Sequence, residues 1–199
     1  NQVWMAENLN YKTANSYCYE DKPANCHKYG RLYTWAAAMD SAGIFSNAGK
    51  GCGSGVTCGA SGTIRGVCPR GWHLPSDNEW QTLFVAVGGE YGETEVENMT
   101  IRFYTTAGKM LKSTSGWEDD KGKNGNGTDE YGFSVLPSGR RTGDGICIFA
   151  GKFASFWSST EYSSYAAYRW YFDYGIEDVR SYYYYKNAGY SVRCLKDSE

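Results

Sequence analysis

The chain has 199 residues and a formal net charge of −2, which leaves no electrostatic footprint for nucleic acid or an anionic membrane. No apolar run approaches the ~20 residues of a membrane-spanning helix, and the length suits one domain, 1–199, with a substantial core. Twenty-five glycines and 17% aromatic residues argue for a loop-rich, aromatic-cored globule rather than a helical bundle or a disordered tail. With no initiator Met or signal peptide in view, the chain reads as a processed portion of something longer.

Residues 1–11, carrying Trp4, Met5 and Leu9, read as extended chain entering the core. Residues 15–30 are polar and hold Cys18 and Cys26. Leu32, Trp35, Ala36 and Met39 then share one face of a short helix. Residues 40–66 are Gly/Ser/Ala-rich, carry Cys52 and Cys58, and read as an insert long enough to be functional or merely tolerated. Next comes an extended run through Cys68, Pro69 and Pro75 that turns into a helix at about 77–87. Ser76 and Glu79 form the capping box that satisfies two otherwise orphaned N–H groups. Trp80, Leu83, Phe84 and Val87 follow at the i, i+3, i+4, i+7 spacing of one buried face.

Residues 88–104 read as polar and irregular, 105–113 as a short helix around Met110 and Leu111, and 115–132 as a long loop. Phe133 to Pro137 reads as a strand ended by its proline. From 153 onward the pattern is β. One strand spans 156–160; in the next, Tyr168, Trp170 and Phe172 alternate with Arg169, Tyr171 and Asp173, the period of a half-buried strand. Strands at 179–185 and 190–195 complete the set, the last turning Tyr190, Val192 and Cys194 inward. Helices first and strands later make an α+β arrangement, with two or three short helices packed on antiparallel sheets.

Seven cysteines set the compartment. Cys18 with Cys26 and Cys52 with Cys58 are close pairs suited to local disulfides, and Cys68 with Cys194 is the expected long-range bridge. Cys147, in an apolar segment, is left over as a buried thiol. Zinc is disfavoured, because the pair spacings exceed Cys-x2-4-Cys and His27 and His73 have no partner pattern. Such cysteine usage points to an oxidising, extracytoplasmic setting, secreted or at the cell surface.

Several motifs recur together in order: Val3-Trp4-Met5-Ala6-Glu7-Asn8-Leu9, Gly30-Arg31-Leu32-Tyr33-Thr34-Trp35, Cys68-Pro69-Arg70-Gly71-Trp72-His73-Leu74-Pro75-Ser76, Gly127-Thr128-Asp129-Glu130-Tyr131-Gly132-Phe133, Phe156-Trp157-Ser158-Ser159-Thr160-Glu161 and Ser191-Val192-Arg193-Cys194. On these the chain resembles the Fibrobacter succinogenes major paralogous domain. The resemblance implies a C-type-lectin-like fold, related to the formylglycine-generating enzyme and to retroelement-diversified variable proteins, whose opening strand would lie before residue 1. It implies bacterial proteins that are secreted or surface-attached, and it supplies no catalytic residues.

Ten of the eighteen tyrosines fall within 162–190. Tyrosine offers a flat apolar face with a polar tip at low entropy cost, which suits sugars and protein partners alike. Tyr165, Tyr171, Tyr174, Tyr182, Tyr183, Tyr184 and Tyr185 are therefore the candidate ligand-binding residues, weighed against plain core and strand-forming roles. A second candidate is an oxygen-rich loop with Asp119, Asp120, Asn124, Asn126, Thr128, Asp129 and Glu130. Its 124, 126, 128 and 129 side chains would be the ligands of a calcium ion, though a solvated Asn/Gly turn is favoured. Glu161 and Asp173 could be offered as a glycosidase pair, but surface acids, or a Glu161 paired with Arg140, Arg141 or Arg193, are favoured. The expected function is an extracellular binding or adhesion module for a polysaccharide or surface protein, with no enzyme activity. The alternative is a surface-assembly subunit that self-associates through the same tyrosines.

Overall fold

The computed structural model describes residues 1–198. The N-terminal part is built from β1 (Ser16–Tyr17), α1 (Pro23–Tyr29), β2 (Leu32–Tyr33) and α2 (Trp35–Ala38). The insert follows, in which only a Gly53–Val56 bridge interrupts irregular chain before β3 (Trp72–His73). Then come α3 (Asp77–Ala86), the hairpin β4 (Tyr91–Val96) and β5 (Met99–Tyr104), and α4 (Ala107–Leu111). The C-terminal part holds β6 (Ser138–Arg141), β7 (Cys147–Ala150), β8 (Phe153–Glu161), β9 (Ala166–Asp173), β10 (Val179–Tyr185) and β11 (Leu195–Lys196). Seven strands form one sheet in the order β4-β5-β10-β9-β8-β6-β7, antiparallel except where β6 meets β8, and β1–β2 and β3–β11 form two small ribbons. The architecture is α+β.

The period-2 alternation of β8, β9 and β10 gives the sheet two differently used faces. On one, Phe156, Trp170 and Phe172 pack against Trp80 and Phe84 of α3. On the other, Trp157, Ala167 and Tyr190 join Trp35, Met39, Leu74 and Val192. Helix α3 begins at its expected place with both halves of the capping box formed, Ser76 Oγ accepting from the Glu79 amide at 3.3 Å and Glu79 accepting from the Ser76 amide at 2.8 Å. Asp77, in the helix's first turn, is buried and holds Arg102 of β5 at 2.6 Å and Trp170 Nε1 of β9 at 3.0 Å. Gln81 Nε2 donates to the same carboxylate at 2.7 Å, so the positive end of the helix dipole and three side-chain donors stabilise it. That contact fixes the helix across the sheet.

All three expected disulfides are present: Cys18–Cys26, Cys52–Cys58 and Cys68–Cys194. Cys147 departs from expectation. It lies half-exposed on edge strand β7, where its sulfur accepts from the Glu20 amide at 3.1 Å. Several segments also differ from the sequence reading. The expected helix over 32–39 is shared between β2 and α2, because Tyr33 N–H and O pair with Tyr190 before the Thr34 side chain caps the helix. The 88–104 stretch is a hairpin, β4–β5, whose turn places Glu97 and Asn98 at φ 50° and 63°. Two positive φ values are what a type I′ turn needs. Residues 15–30 contain α1, and 138–150 contain β6 and β7, neither of which was expected. At 133–137 only Val135 makes a bridge, and the strand expected at 190–195 is reduced to single bridges plus β11.

The C-terminus is fastened at β3–β11. Leu195 pairs with His73, whose ring nitrogens contact Asp197 at 2.7 Å and Glu79 at 2.9 Å. Burial disfavours the imidazolium, but the two carboxylates outweigh it and hold His73 above its ordinary value. Burial likewise opposes ionised Glu79, yet His73 and Ser76 bring its carboxyl down to about 2. The signs follow. The raised His73 stabilises the fold at pH below its unfolded value of about 6.5 and loses that contribution as pH rises through its folded value. The lowered Glu79 stabilises above about 4.3 and fails as pH falls toward 2. The melting temperature is therefore expected to peak between about pH 4.5 and 6.5. His73→Gln should flatten the alkaline side of that peak in a calorimetric pH series. An unchanged profile would remove His73 from the account.

Candidate functional site

The sequence-predicted tyrosines do not share one surface. On the α3 face of the sheet, beyond the helix, Tyr168 of β9 stands opposite Tyr183 of β10. Tyr162, from the β8–β9 turn, lies flat on Tyr183, ring centroids 3.7 Å apart and planes 4° from parallel, with Tyr168 edge-on to it at 5.6 Å. Arg102 sits 4.7 Å from the Tyr168 ring, backed by its ion pair with Asp77. Tyr162, Tyr165 and Tyr185 are 50, 61 and 64% exposed, so this end of the sheet presents an open aromatic platform.

The glycine-rich insert braces this end. Gly55 N–H donates to Ser164 O at 2.8 Å within the turn that carries Tyr162 and Tyr165. Lys186, just past β10, is fully buried, and its ammonium donates to Gly53 O at 3.2 Å, Val56 O at 2.9 Å, Ser164 O at 3.2 Å and the Glu161 carboxylate. It also lies 4.5 Å from the Trp35 ring. Glu161 in turn accepts from the amides of Cys58 and Gly59. Burial would raise the Glu161 carboxyl, but Lys186 and the two amides overrule it and keep it below the ordinary carboxylate value. One ion pair therefore joins the β8 end, the β10 end and the Cys52–Cys58 loop.

The opposite face carries Tyr171, Tyr182 and Tyr184, on alternate positions with Arg169 between them. Tyr171 is almost wholly buried, stacked on Phe153 at 5.0 Å, and Tyr182 and Tyr184 are half-buried. Tyr174 leaves this set altogether, packing at the edge of the α3 core with Lys152 5.7 Å from its ring. Of the seven candidates, Tyr165, Tyr183 and Tyr185 thus belong to the exposed end and Tyr171, Tyr182 and Tyr184 to the other face.

The oxygen-rich loop is occupied by its own hydrogen bonds. Asn124 Oδ1 accepts from the Asn126 amide and side chain, and Asn126 Oδ1 accepts from Trp117 N–H at 2.9 Å. Asp129 accepts from Ser134, and Thr128 donates to Glu130 at 3.0 Å. Among the described residues no three His, Cys, Asp or Glu side chains gather as a metal site. Glu161 pairs with Lys186 and with none of the arginines expected for it. Glu161 aligns with Ala167, six residues along β9 from Asp173. At about 3.3 Å per residue the two acids stand roughly 20 Å apart, well beyond the ~5–9.5 Å of a glycosidase pair.

Sequence reasoning passed over Tyr162, Lys186 and Arg169. Tyr162 sits in a turn, outside any alternating pattern. Lys186 follows a run of tyrosines and looks solvated until the insert folds over it. Arg169 holds the alternate position to Trp170 and so reads as surface, yet it is 1% exposed.

The Fibrobacter succinogenes major domain model matches residues 1–196. No curated protein and no solved structure matches the chain. With its motifs running through both cores, the disulfide clamp and the braced end of the sheet, the chain belongs to the Fibrobacter succinogenes major domain family.

Proposed function

We propose that the chain is an extracytoplasmic binding module of C-type-lectin-like character that recognises carbohydrate through the braced aromatic end of its sheet. The observation that carries this reading is the Tyr162–Tyr183 stack, with Tyr165 and Tyr185 exposed at the same end of the sheet and the turn held by a disulfide-closed insert. A sugar ring has apolar C–H faces that stack on such a platform, and the phenol hydroxyls reach its edge. Rigid support lowers the entropy lost on binding. Three disulfides suit an oxidising compartment, and among the described residues no helix is long and apolar enough to cross a membrane.

Screening on a glycan array, followed by titration of the hits, tests the reading. Tyr162→Ala and Tyr183→Ala, each removing one ring of the stack, are expected to weaken a hit by about fivefold, since an aromatic contact is worth about 1 kcal/mol beyond its area. Retained affinity in both variants would remove the platform from the binding account. A mass that grows with concentration, and that Tyr165→Ala and Tyr185→Ala abolish, would instead support a self-associating surface subunit.

A further inference from the structure

Arg169 is 1% exposed, yet no carboxylate pairs with it among the described residues. Its guanidinium lies 4.5 Å from the Tyr182 ring, 4.6 Å from Tyr171, 5.3 Å from Tyr190, 5.5 Å from Tyr184 and 5.6 Å from Phe153. Among the described residues its one side-chain acceptor is Ser155 Oγ at 3.2 Å, and Nε has no partner. Aromatic faces offset part of the cost of desolvating a cation, but they neutralise no charge and accept hydrogen bonds poorly. The Arg140 guanidinium of β6 lies 4.9 Å from the Tyr184 ring. Among the described residues, three guanidinium Nε atoms on this face, those of Arg140, Arg169 and Arg180, are buried without a hydrogen-bond partner, and the Tyr190 hydroxyl has only the Arg140 guanidinium beside it. Native folds leave few such groups, so their concentration in one place calls for a partner. The nearby acids do not supply it. Asp178 contacts Arg180 at 3.3 Å through Nη2, and Asp173 is engaged by the Gly175 amide at 2.7 Å.

We infer that this face binds an oxyanion, the carboxylate or sulfate of an acidic polysaccharide, with half-exposed Arg140 as the point of contact and Arg169 supplying charge beneath the tyrosines. The inference rests on the carbohydrate reading above and names the class of glycan. Guanidinium donors match a planar or tetrahedral oxyanion and form the stronger, charge-assisted kind of hydrogen bond. Contact with the platform is direct, since the Tyr184 and exposed Tyr185 rings are 5.6 Å apart. A chain of sugars could therefore stack on the sheet's end and place an acidic group on this face.

Two matched pairs of polymers test this by calorimetry: homogalacturonan against its methyl ester, and dextran sulfate against dextran. The expected result is binding of a charged polymer at least tenfold tighter than of its uncharged counterpart, weakening with added salt. Which charged polymer binds distinguishes carboxylate from sulfate. Arg140→Gln should erase the preference, costing about tenfold. Because Arg140 packs on Tyr184, the intact protein provides a second measurement. A bound acidic polymer should slow phenylglyoxal labelling of Arg140 relative to exposed Arg70. Equal binding of charged and uncharged partners would overturn the oxyanion site and leave the platform standing. So would a charge preference that neither protects Arg140 nor responds to its replacement. If none of the four polymers binds while the array finds neutral glycans, only the acidic class falls; if the array is also blank, both readings fall.

Discussion

Replacing Cys68 and Cys194 together by alanine is expected to remove about 5 kcal/mol of stability, the largest effect among the three bridges. The bridge joins residues 126 positions apart, and closing a loop of that length takes about 16 cal/mol/K from the unfolded ensemble. The same relation gives only about 2 kcal/mol for Cys18–Cys26 and for Cys52–Cys58, whose separations are 8 and 6. The native state adds to the long bridge's share. Cys194 adjoins Leu195, which pairs with His73 and bridges to Trp4, and Asp197 lies on the His73 ring. Losing the bridge loosens the β3–β11 ribbon at the point where the first residues, the start of α3 and the last strand meet. Chemical denaturation midpoints of the three double-alanine variants would check the ordering. A long-bridge variant no less stable than either local one would refute the entropic account and place the stabilisation in packing instead.

What the sequence conveyed depended on whether a segment's chemistry was local. Helix α3 was legible because its cap, periodic apolar face and preceding proline all act within about fifteen residues of one another. The disulfides were legible from two short spacings and from the inward face of Cys194. Strands β8 to β10 showed themselves through alternation. The β4–β5 hairpin did not, because β4 is almost wholly exposed and carries no buried stripe, and its Glu97-Asn98 turn lacks the glycine that usually signals a type I′ turn. The same limit governed the site. A run of four tyrosines on a strand must divide between two faces, so Tyr183 joins Tyr162 and Tyr168 while Tyr182 and Tyr184 enclose Arg169. Which face is open depends on what long-range segments cover it, and neither the insert's return over Lys186 nor Arg140's reach to Tyr184 has a local signature.

Lys186→Met is expected to cost about 3–5 kcal/mol and to free the insert from the sheet. The ammonium is fully buried with four oxygen acceptors, and Glu161 is 13% exposed, so removing the cation strands a carboxylate in a poorly solvated place. Methionine keeps the volume and the contact with Trp35, which isolates charge from packing. Glu161→Gln should be milder, because the three carbonyl acceptors remain on Lys186 and the glutamine oxygen still faces the Cys58 and Gly59 amides. The double variant should recover part of the Lys186→Met loss, since a buried pair replaced as a unit leaves no orphaned charge. Denaturant midpoints give the cycle; hydrogen exchange at residues 53–59 reports the release of the insert. Additive losses in the cycle would mean that the two side chains act separately. The functional consequence separates brace from bystander. If the insert merely covers the core, Lys186→Met should lower stability and leave glycan affinity intact under conditions where the variant is folded. If it holds the Ser164 turn that carries Tyr162 and Tyr165, affinity should fall with it, although no ligand touches Lys186.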